Sequence, residues 1–409
     1  MNENAFHVAI IGGGIGGLTL AQGLTKAGIN VSVYERDQAP DARRQGFRVH
    51  IDPEGSNALH ECLPGRLWEI FDATGGDLGH GFTFMTEHLR ELLAVRRDRE
   101  AAIDDVARHR SISRITLRHV LLNGLERRTY FGKRFLHYEE STDGRFHIHF
   151  ADGSSARADV LVGADGVNSG VRKQYLPNAD PVDTGVLALG GKVPLSAGVM
   201  ALVPASLLDG PVMVMPPSPC SLFMAMWKRS SRAQEPLRRL GIEEPIAGDE
   251  DYLILGFGAR PEYLAVNGDA GVVSGAAIKD AMRHVVASWH SNLRKLVELA
   301  EEETMTATNL RTSLRQEAWK TTAITLLGDA IHSMTPYRGI GANIALRDAA
   351  LLCAKLREVE EDRKPLLAAI GEYEEAMRGY GFAAVEASRK AMEQAVGTRN
   401  KPAFGMFKT

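Results

Sequence analysis

Five glycines crowd the run Gly12-Gly13-Gly14-Ile15-Gly16-Gly17. The apolar run Phe6–Ile11 before them reads as a buried strand, and a helical pattern follows to about Ala27, stopped by Gly28 and Asn30. A second apolar strand, Val31–Tyr34, ends at Glu35. Strand, glycine turn, helix, strand and acid is the order of a dinucleotide-binding fingerprint. Gly12 permits the tight turn, Gly14 lets the backbone approach a pyrophosphate, and Gly17 lets the helix pack against the strand. The helix start at Ile15 and Gly16 offers free amides and a positive dipole to an anion. Glu35 can accept hydrogen bonds from adenosine ribose hydroxyls, which disfavours a phosphate there. This unit alone does not choose between FAD and NAD. It occurs once: Gly190-Gly191 lacks the strand, helix, strand and acid around it, which argues against separate FAD and NADPH Rossmann domains.

Two more acids stand at strand ends. Ser155–Val162 reads as a strand running into Gly163-Ala164-Asp165-Gly166, and Thr321–Leu327 as one running into Gly328-Asp329. Pro336-Tyr337-Arg338-Gly339-Ile340-Gly341-Ala342-Asn343 then opens a helix that continues through Leu352. A carboxylate at a strand end can accept from a polyol hydroxyl, and free amides at a glycine-rich helix start can stabilise negative charge. Taken singly, Asp165 and Asp329 are also what a simple turn or cap would use.

Taken together, the GxGxxG run with Glu35, the Asp165-Gly166 pair and the Gly328-Asp329 pair resemble, in order and spacing, the class A flavoprotein monooxygenases, the para-hydroxybenzoate hydroxylase-like family. Ile112-Ser113-Arg114-Ile115-Thr116-Leu117 is similar to that family's Arg-x-x-Leu helix start. The likeness covers about residues 5–175 and 305–360. It implies an α/β fold: a Rossmann-like FAD-binding domain, a β-sheet substrate domain and C-terminal helices. It implies that Asp329 binds the ribityl or pyrophosphate portion of FAD, and that the Pro336 to Asn343 segment, with Gly339, Gly341, Ala342 and Asn343, lies against the isoalloxazine. Arg114 would reach the phosphates or ribityl chain, Asp165 would support the cofactor and nicotinamide use, and Arg36 would lie along the adenosine. NADPH or NADH would reduce bound FAD, and O2 would form a flavin C4a-hydroperoxide whose oxygen passes to a carbon of a small organic substrate. Aromatic or polyketide-like substrates are expected, with hydroxylation or epoxidation as the outcome. Ile340 and Arg338 depart from the family, which often has Gln and a small residue there. The alternatives on this scaffold are an FAD-dependent reductase and a non-redox cyclase or binding protein that keeps FAD as a structural element.

The organisation expected from the pattern is a discontinuous FAD-binding domain over residues 1–72, 101–177 and 275–355. A substrate-binding domain takes 73–100 and 178–274, and a helical segment takes 356–409, with helices at Leu366–Tyr380 and Phe382–Ala395. Gly46–Pro53 alternates, so Arg48 and His50 share the polar face of a strand and are the candidate catalytic residues; a solvated strand edge would show the same alternation. Arg44, with Arg43 beside it, is placed to contact FAD phosphates or to lie in a solvated loop. Val212-Met213-Val214-Met215 and Leu222-Phe223-Met224-Ala225-Met226 read as two strands, each with two methionines on one side. Met213, Met215, Met224 and Met226 are therefore candidate pocket residues, since flexible, polarisable thioethers suit a bulky substrate, or else they fill an irregular core.

His147 and His149 also share a strand face, but no third ligand stands at metal-site spacing, so no metal is expected. Cys62, Cys220 and Cys353 form no spaced pair, which speaks against a disulfide framework. An apolar fraction of 44%, a charged fraction of 24% and a net charge of −3 describe an ordinary globular chain without attraction for nucleic acid. Val193–Leu208 is broken by two prolines and two serines, and Val8–Ile11 has no basic flank. Neither a membrane span nor a signal peptide is expected, and the compartment expected is cytoplasmic.

Overall fold

The computed structural model describes residues 6–40, 42, 47–76, 79, 81–96, 105–239, 241, 250–264 and 273–397. Its strands are β1 His7–Ile11, β2 Asn30–Tyr34, β3 Arg48–Ile51, β4 Gly81–Met85, β5 Glu91–Arg96, β6 Arg110–Ser113, β7 Thr129–Tyr130, β8 Phe135–Glu140 and β9 Phe146–Phe150. They continue with β10 Ser155–Ala158, β11 Val160–Gly163, β12 Val182–Pro194, β13 Val212–Val214, β14 Cys220–Trp227, β15 Tyr252–Ala259, β16 Thr306–Thr312 and β17 Ile324–Leu326.

Five of these form a parallel sheet in the order β17-β11-β1-β2-β7. A parallel sheet is covered on both faces, so its strands are unbroken apolar runs: Val8-Ala9-Ile10-Ile11 and Val160-Leu161-Val162 are buried throughout. Helix Ile15–Lys26 crosses from β1 to β2, and helix Gly341–Glu360 packs against it and against helix Pro53–Cys62. The Ser155–Val162 segment is not one strand. It changes sheets at Asp159, whose Oδ2 accepts from the His7 amide at 2.8 Å, leaving β10 in a small antiparallel sheet (β10-β9-β8) and β11 beside β1.

The second large sheet has the order β16-β12-β15-β14-β13-β4-β5. On one face Val212, Met224, Leu255 and Phe257 pack against Ile278, Met282 and Leu296 of helices Gly275–Val286 and Ser291–Leu299. Those helices cover this face because their own apolar faces find it, and β16 closes one edge of the same sheet. The other face carries Met213, Met215 and Phe223, meeting Tyr337 and, from the C-terminal helix, Met392 and Val396. That helix is one element, Leu366–Val396, rather than two. Gly381 in its middle is a point of close approach, since a Cβ there would come within 2.8 Å of the His332 ring.

Candidate functional site

Four segments with chemical capacity sit at the carboxyl ends of four neighbouring parallel strands. Gly12 follows β1, Glu35 follows β2, Asp165 lies just past β11, and Gly328-Asp329 just past β17. The rim above the carboxyl ends is where open parallel sheets bind ligands.

The glycines divide their labour by geometry. Gly12 has φ +114°, and a Cβ on it would lie 2.3 Å from the Ala164 carbonyl oxygen. A Cβ on Gly17 would lie 2.2 Å from the Gly12 carbonyl oxygen, so it is the glycine that lets helix and strand touch. Gly14 is different: it is exposed, and a Cβ there would meet nothing within 4 Å. It caps helix Ile15–Lys26 without a side-chain partner for the first-turn amides, while Ile15 is half-buried and Gly16 buried. Glu35 is buried, and its two oxygens accept from the Gly13 amide at 2.7 Å and the Asp37 amide at 2.9 Å. It thus ties the glycine turn to the end of β2. Arg36 is exposed beside it.

Asp165 accepts from the Gly170 amide at 2.7 Å through Oδ2, while its Oδ1 is buried without a hydrogen-bond partner. Burial pushes this carboxyl up, against hydrogen bonds from Ser169 and the following backbone. Asp329 is exposed at the rim, yet the surrounding protein is dense enough that desolvation pushes its carboxyl up, against the pull of His332 and Arg114. Arg114, exposed at the start of helix Arg114–Leu122, is therefore near enough to share that rim. An open direction at Gly14, an orphaned Asp165 oxygen and a crowded yet accessible Asp329 fit a polyol-bearing dinucleotide. Arg44 lies outside the described residues.

Gly328 has φ +61°, and what holds it is Asp348, a residue the sequence reading passed over. The fully buried Asp348 carboxylate accepts from the Gly328 amide at 2.7 Å, from His332 Nε2 at 2.6 Å and from Tyr380 Oη at 2.6 Å. Burial draws the His332 imidazole down, but the charge and hydrogen bond of Asp348 outweigh it, and the net shift is upward. Tyr373 Oη donates to the Leu326 carbonyl at 2.9 Å, so the C-terminal helix braces both β17 and the turn after it.

Pro336 and Gly339 are exposed and Gly341 and Ala342 half-buried at the start of helix Gly341–Glu360, which has no side-chain cap. Asn343 is buried and works inward: its amide nitrogen donates to the His50 carbonyl at 2.9 Å, and its oxygen accepts from the Asp52 amide at 3.0 Å. Strand β3 is thus locked to the helix start. Its polar face is as expected, with Arg48 and His50 half-buried. Arg48 donates to Ser111 Oγ at 3.0 Å, and His50 Nε2 lies 2.8 Å from His109 Nδ1, the two rings stacked. His109 had no recognisable sequence signal.

The four methionines do not converge. Register pairs Met213 with Phe223 and Val212 with Met224, so neighbours alternate faces. Met213 and Met215 face Tyr337, whereas Met224 is fully buried, and Met226 half-buried, against the core under the covering helices. Tyr337 reaches across from the Pro336–Arg338 turn to within 3.2 Å of Ser221 Oγ, over Gly258, where any Cβ would sit 1.8 Å from the phenol oxygen. Burial pushes the Tyr337 hydroxyl up to about 12. No described helix is long and apolar enough to cross a membrane.

The family model described as FAD binding domain matches residues 5–184 and 273–387. A dual O-methyltransferase/FAD-dependent monooxygenase of Phaeosphaeria nodorum is 30% identical over 86% of this chain and 40% of its own length. A 6-hydroxynicotinate 3-monooxygenase of Pseudomonas fluorescens is 28% identical over 91% of this chain and 88% of its own. A crystal structure from Photorhabdus luminescens, assigned as an FAD containing monooxygenase, superimposes with a TM-score of 0.84 at 36% identity, covering 96% of this chain and 98% of the other. The chain spans 40 to 44% of the length of the first curated relatives it matches.

Proposed function

The chain belongs to the FAD binding domain family, that of the class A flavin monooxygenases, with FAD as its cofactor, and from that premise we propose that it is an FAD-dependent monooxygenase. It takes two electrons from NADPH or NADH, splits O2, places one oxygen on an organic, aromatic or polyketide-like substrate and releases the other as water. The observation that carries this reading is the alignment of Gly12, Glu35, Asp165 and Asp329 along one rim of the parallel sheet, with Tyr337, from the turn before helix Gly341–Glu360, packed on the apolar Met213 and Met215 face of the second sheet. The oxidation of an aromatic compound by the 6-hydroxynicotinate 3-monooxygenase supports the substrate class.

Bound FAD supplies the electron transfer and oxygen activation. The chain's own residues bind and orient. The amides from Gly14 to Gly17 take the pyrophosphate, since those of Gly12 and Gly13 are engaged by the Tyr34 carbonyl and Glu35, and Gly14 leaves the approach open. Glu35 and Arg36 serve the adenosine end. Asp329, Arg114 and the free oxygen of Asp165 serve the ribityl chain and phosphates. The uncapped amides from Gly341 to Asn343 stabilise negative charge on the isoalloxazine, with Pro336 and Gly339 shaping that turn. Met213, Met215 and Phe223 form an apolar wall for the substrate, Tyr337 closes it toward the cofactor, and Arg48 and His50 border it. Met224 and Met226 belong to the core instead.

The test measures NADPH and NADH oxidation beside O2 uptake across a panel of phenols, hydroxypyridines and polyketide-like aromatics. Substrate-dependent consumption of both, with an oxygenated product, is expected. Reductant consumption without O2 uptake would identify a reductase, and no consumption with FAD still bound would identify a structural flavoprotein.

A further inference from the structure

We propose that His137, Glu139 and His149 form a binding site for a divalent transition metal, Zn2+ in the first instance, on the small antiparallel sheet. Sequence spacing hides this set because its members come from two strands. The β8–β9 register sets His137 opposite His149 and Glu139 opposite His147. Residues two apart on a strand share a face, so His137, Glu139 and His149 all project from the same side. The imidazoles of His137 and His149 stack, with centroids 4.5 Å apart and planes within 10°. His137 Nε2 lies 3.5 Å from Glu139 Oε1. One ligand atom from each of the three lies within 4.8 Å of the others. Ligands of a tetrahedral zinc with bonds near 2.0–2.1 Å stand about 3.4 Å apart, and each imidazole must hold the ion in its own plane, so one of the two rings turns out of the stack to close the set.

A second observation points the same way. His149 Nε2 is shielded from solvent and makes no hydrogen bond to another described protein group, which leaves it available as a donor atom. Two imidazoles and a carboxylate make a nitrogen-rich donor set that suits zinc, nickel or copper and not calcium or magnesium, which take oxygen ligands. His137 and Glu139 are 49% and 69% exposed, so the ion has an entry path and a water for the fourth position. The opposite face of the hairpin is core: Phe146, Ile148 and Phe150 are buried, and the Phe150 ring lies 4.8 Å from that of Tyr34, the last residue of β2. A metal across β8 and β9 therefore stiffens a hairpin that leans on the cofactor-binding sheet. The site is independent of which substrate the enzyme oxidises.

The experiment titrates Zn2+, and separately Ni2+, into the tag-free, EDTA-treated, FAD-loaded 409-residue chain in competition with a chromophoric chelator. About one equivalent per chain should bind, and the melting temperature should rise with it. His137→Gln and His149→Gln should each weaken binding at least about ten- to hundredfold, the cost of disturbing even an outer partner of a metal ligand. Glu139→Gln, at the most exposed member, should weaken binding while leaving folding and flavin absorbance intact. His88→Gln, on another surface, should change nothing. The proposal is overturned if no saturable binding appears, or if the His137→Gln/His149→Gln double variant, shown by flavin absorbance to be folded, binds as tightly as the parent.

Discussion

Replacing Asp348 by Asn tests how the turn carrying Asp329 is held. The change is nearly isosteric and keeps one carbonyl oxygen, so it removes charge more than shape. In the parent the carboxylate accepts three hydrogen bonds in full burial, one from a histidine whose protonated form it favours. A histidine raised above its unfolded value contributes stability that is fully present below that value and lost as pH climbs through the folded one. The parent-minus-variant stability gap should therefore be widest on the acid side. Removing one member of a buried ion pair costs about 3–5 kcal/mol, and since Asn keeps an acceptor we expect about 3 kcal/mol near pH 6. Once His332 is neutral, only the charge assistance to the Gly328 amide and Tyr380 hydroxyl remains, and the gap should narrow to about 1–2 kcal/mol as pH climbs through the folded value. Denaturant unfolding of both proteins from pH 6 to 9 supplies the gap, and FAD fluorescence quenching shows whether the cofactor is bound more weakly as Gly328 loosens. A gap constant over that range would mean that His332 stays neutral throughout, and the argument would fail.

Gly14→Ala should leave the melting temperature of the apoprotein unchanged, because its Cβ meets only open space, yet weaken FAD binding at least tenfold, about 1.4 kcal/mol; Gly17→Ala should lower both, and equal behaviour of the two would contradict the division of roles. Asp329→Ala should reduce FAD retention by about 1–3 kcal/mol as hydroxyls lose a charged partner, read by dialysis against the apoprotein. Met224→Ala should destabilise by about 2–5 kcal/mol as a cavity in the core, whereas Met213→Leu should shift substrate KM with stability within about 1.5 kcal/mol; the opposite pattern in melting and kinetic data would reverse the two faces. Arg48→Ala and His50→Ala should depress turnover while FAD stays bound, and intact turnover with lowered stability would make β3 a purely structural strand.

The N-terminal unit was readable because its signal is local: an apolar run, glycines at fixed offsets and an acid all fall within about thirty residues. Asp165 and Asp329 were readable by their order after apolar strands. What remained hidden depends on pairings distant in sequence. Nothing in Gly81–Met85 announces that β4 pairs in parallel with β13, some 130 residues on, so Val212 lies beside Thr83. The methionine parity needed the β13–β14 register, since a shift of one residue would exchange the faces. His109 reached His50, and His137 reached His149, across strands. Asp348 looked like one polar residue on an apolar helix, and only the fold shows that it points at the turn after β17. Cys62 and Cys353, unpaired by spacing, are brought side by side as thiols behind Gly23.

The clasp between Asn343 and strand β3 bears on how the chain acquires its shape. Its two hydrogen bonds join positions 293 and 291 residues apart. Loop-closure entropy grows only logarithmically, about 0.6 kcal/mol per doubling of length, so this separation is no great thermodynamic obstacle. It is a temporal one. At about 5–20 residues per second on the ribosome, strand β3 waits roughly 15–60 s for its partner to be made. For the part of that interval between synthesis of β11 and of β17, β11 has no β17 on its flank, and a run of backbone donors and acceptors stands unpaired. Such an edge invites intermolecular pairing. Slow translation or scarce chaperones should thus harm this protein's yield more than a modest loss of native stability would.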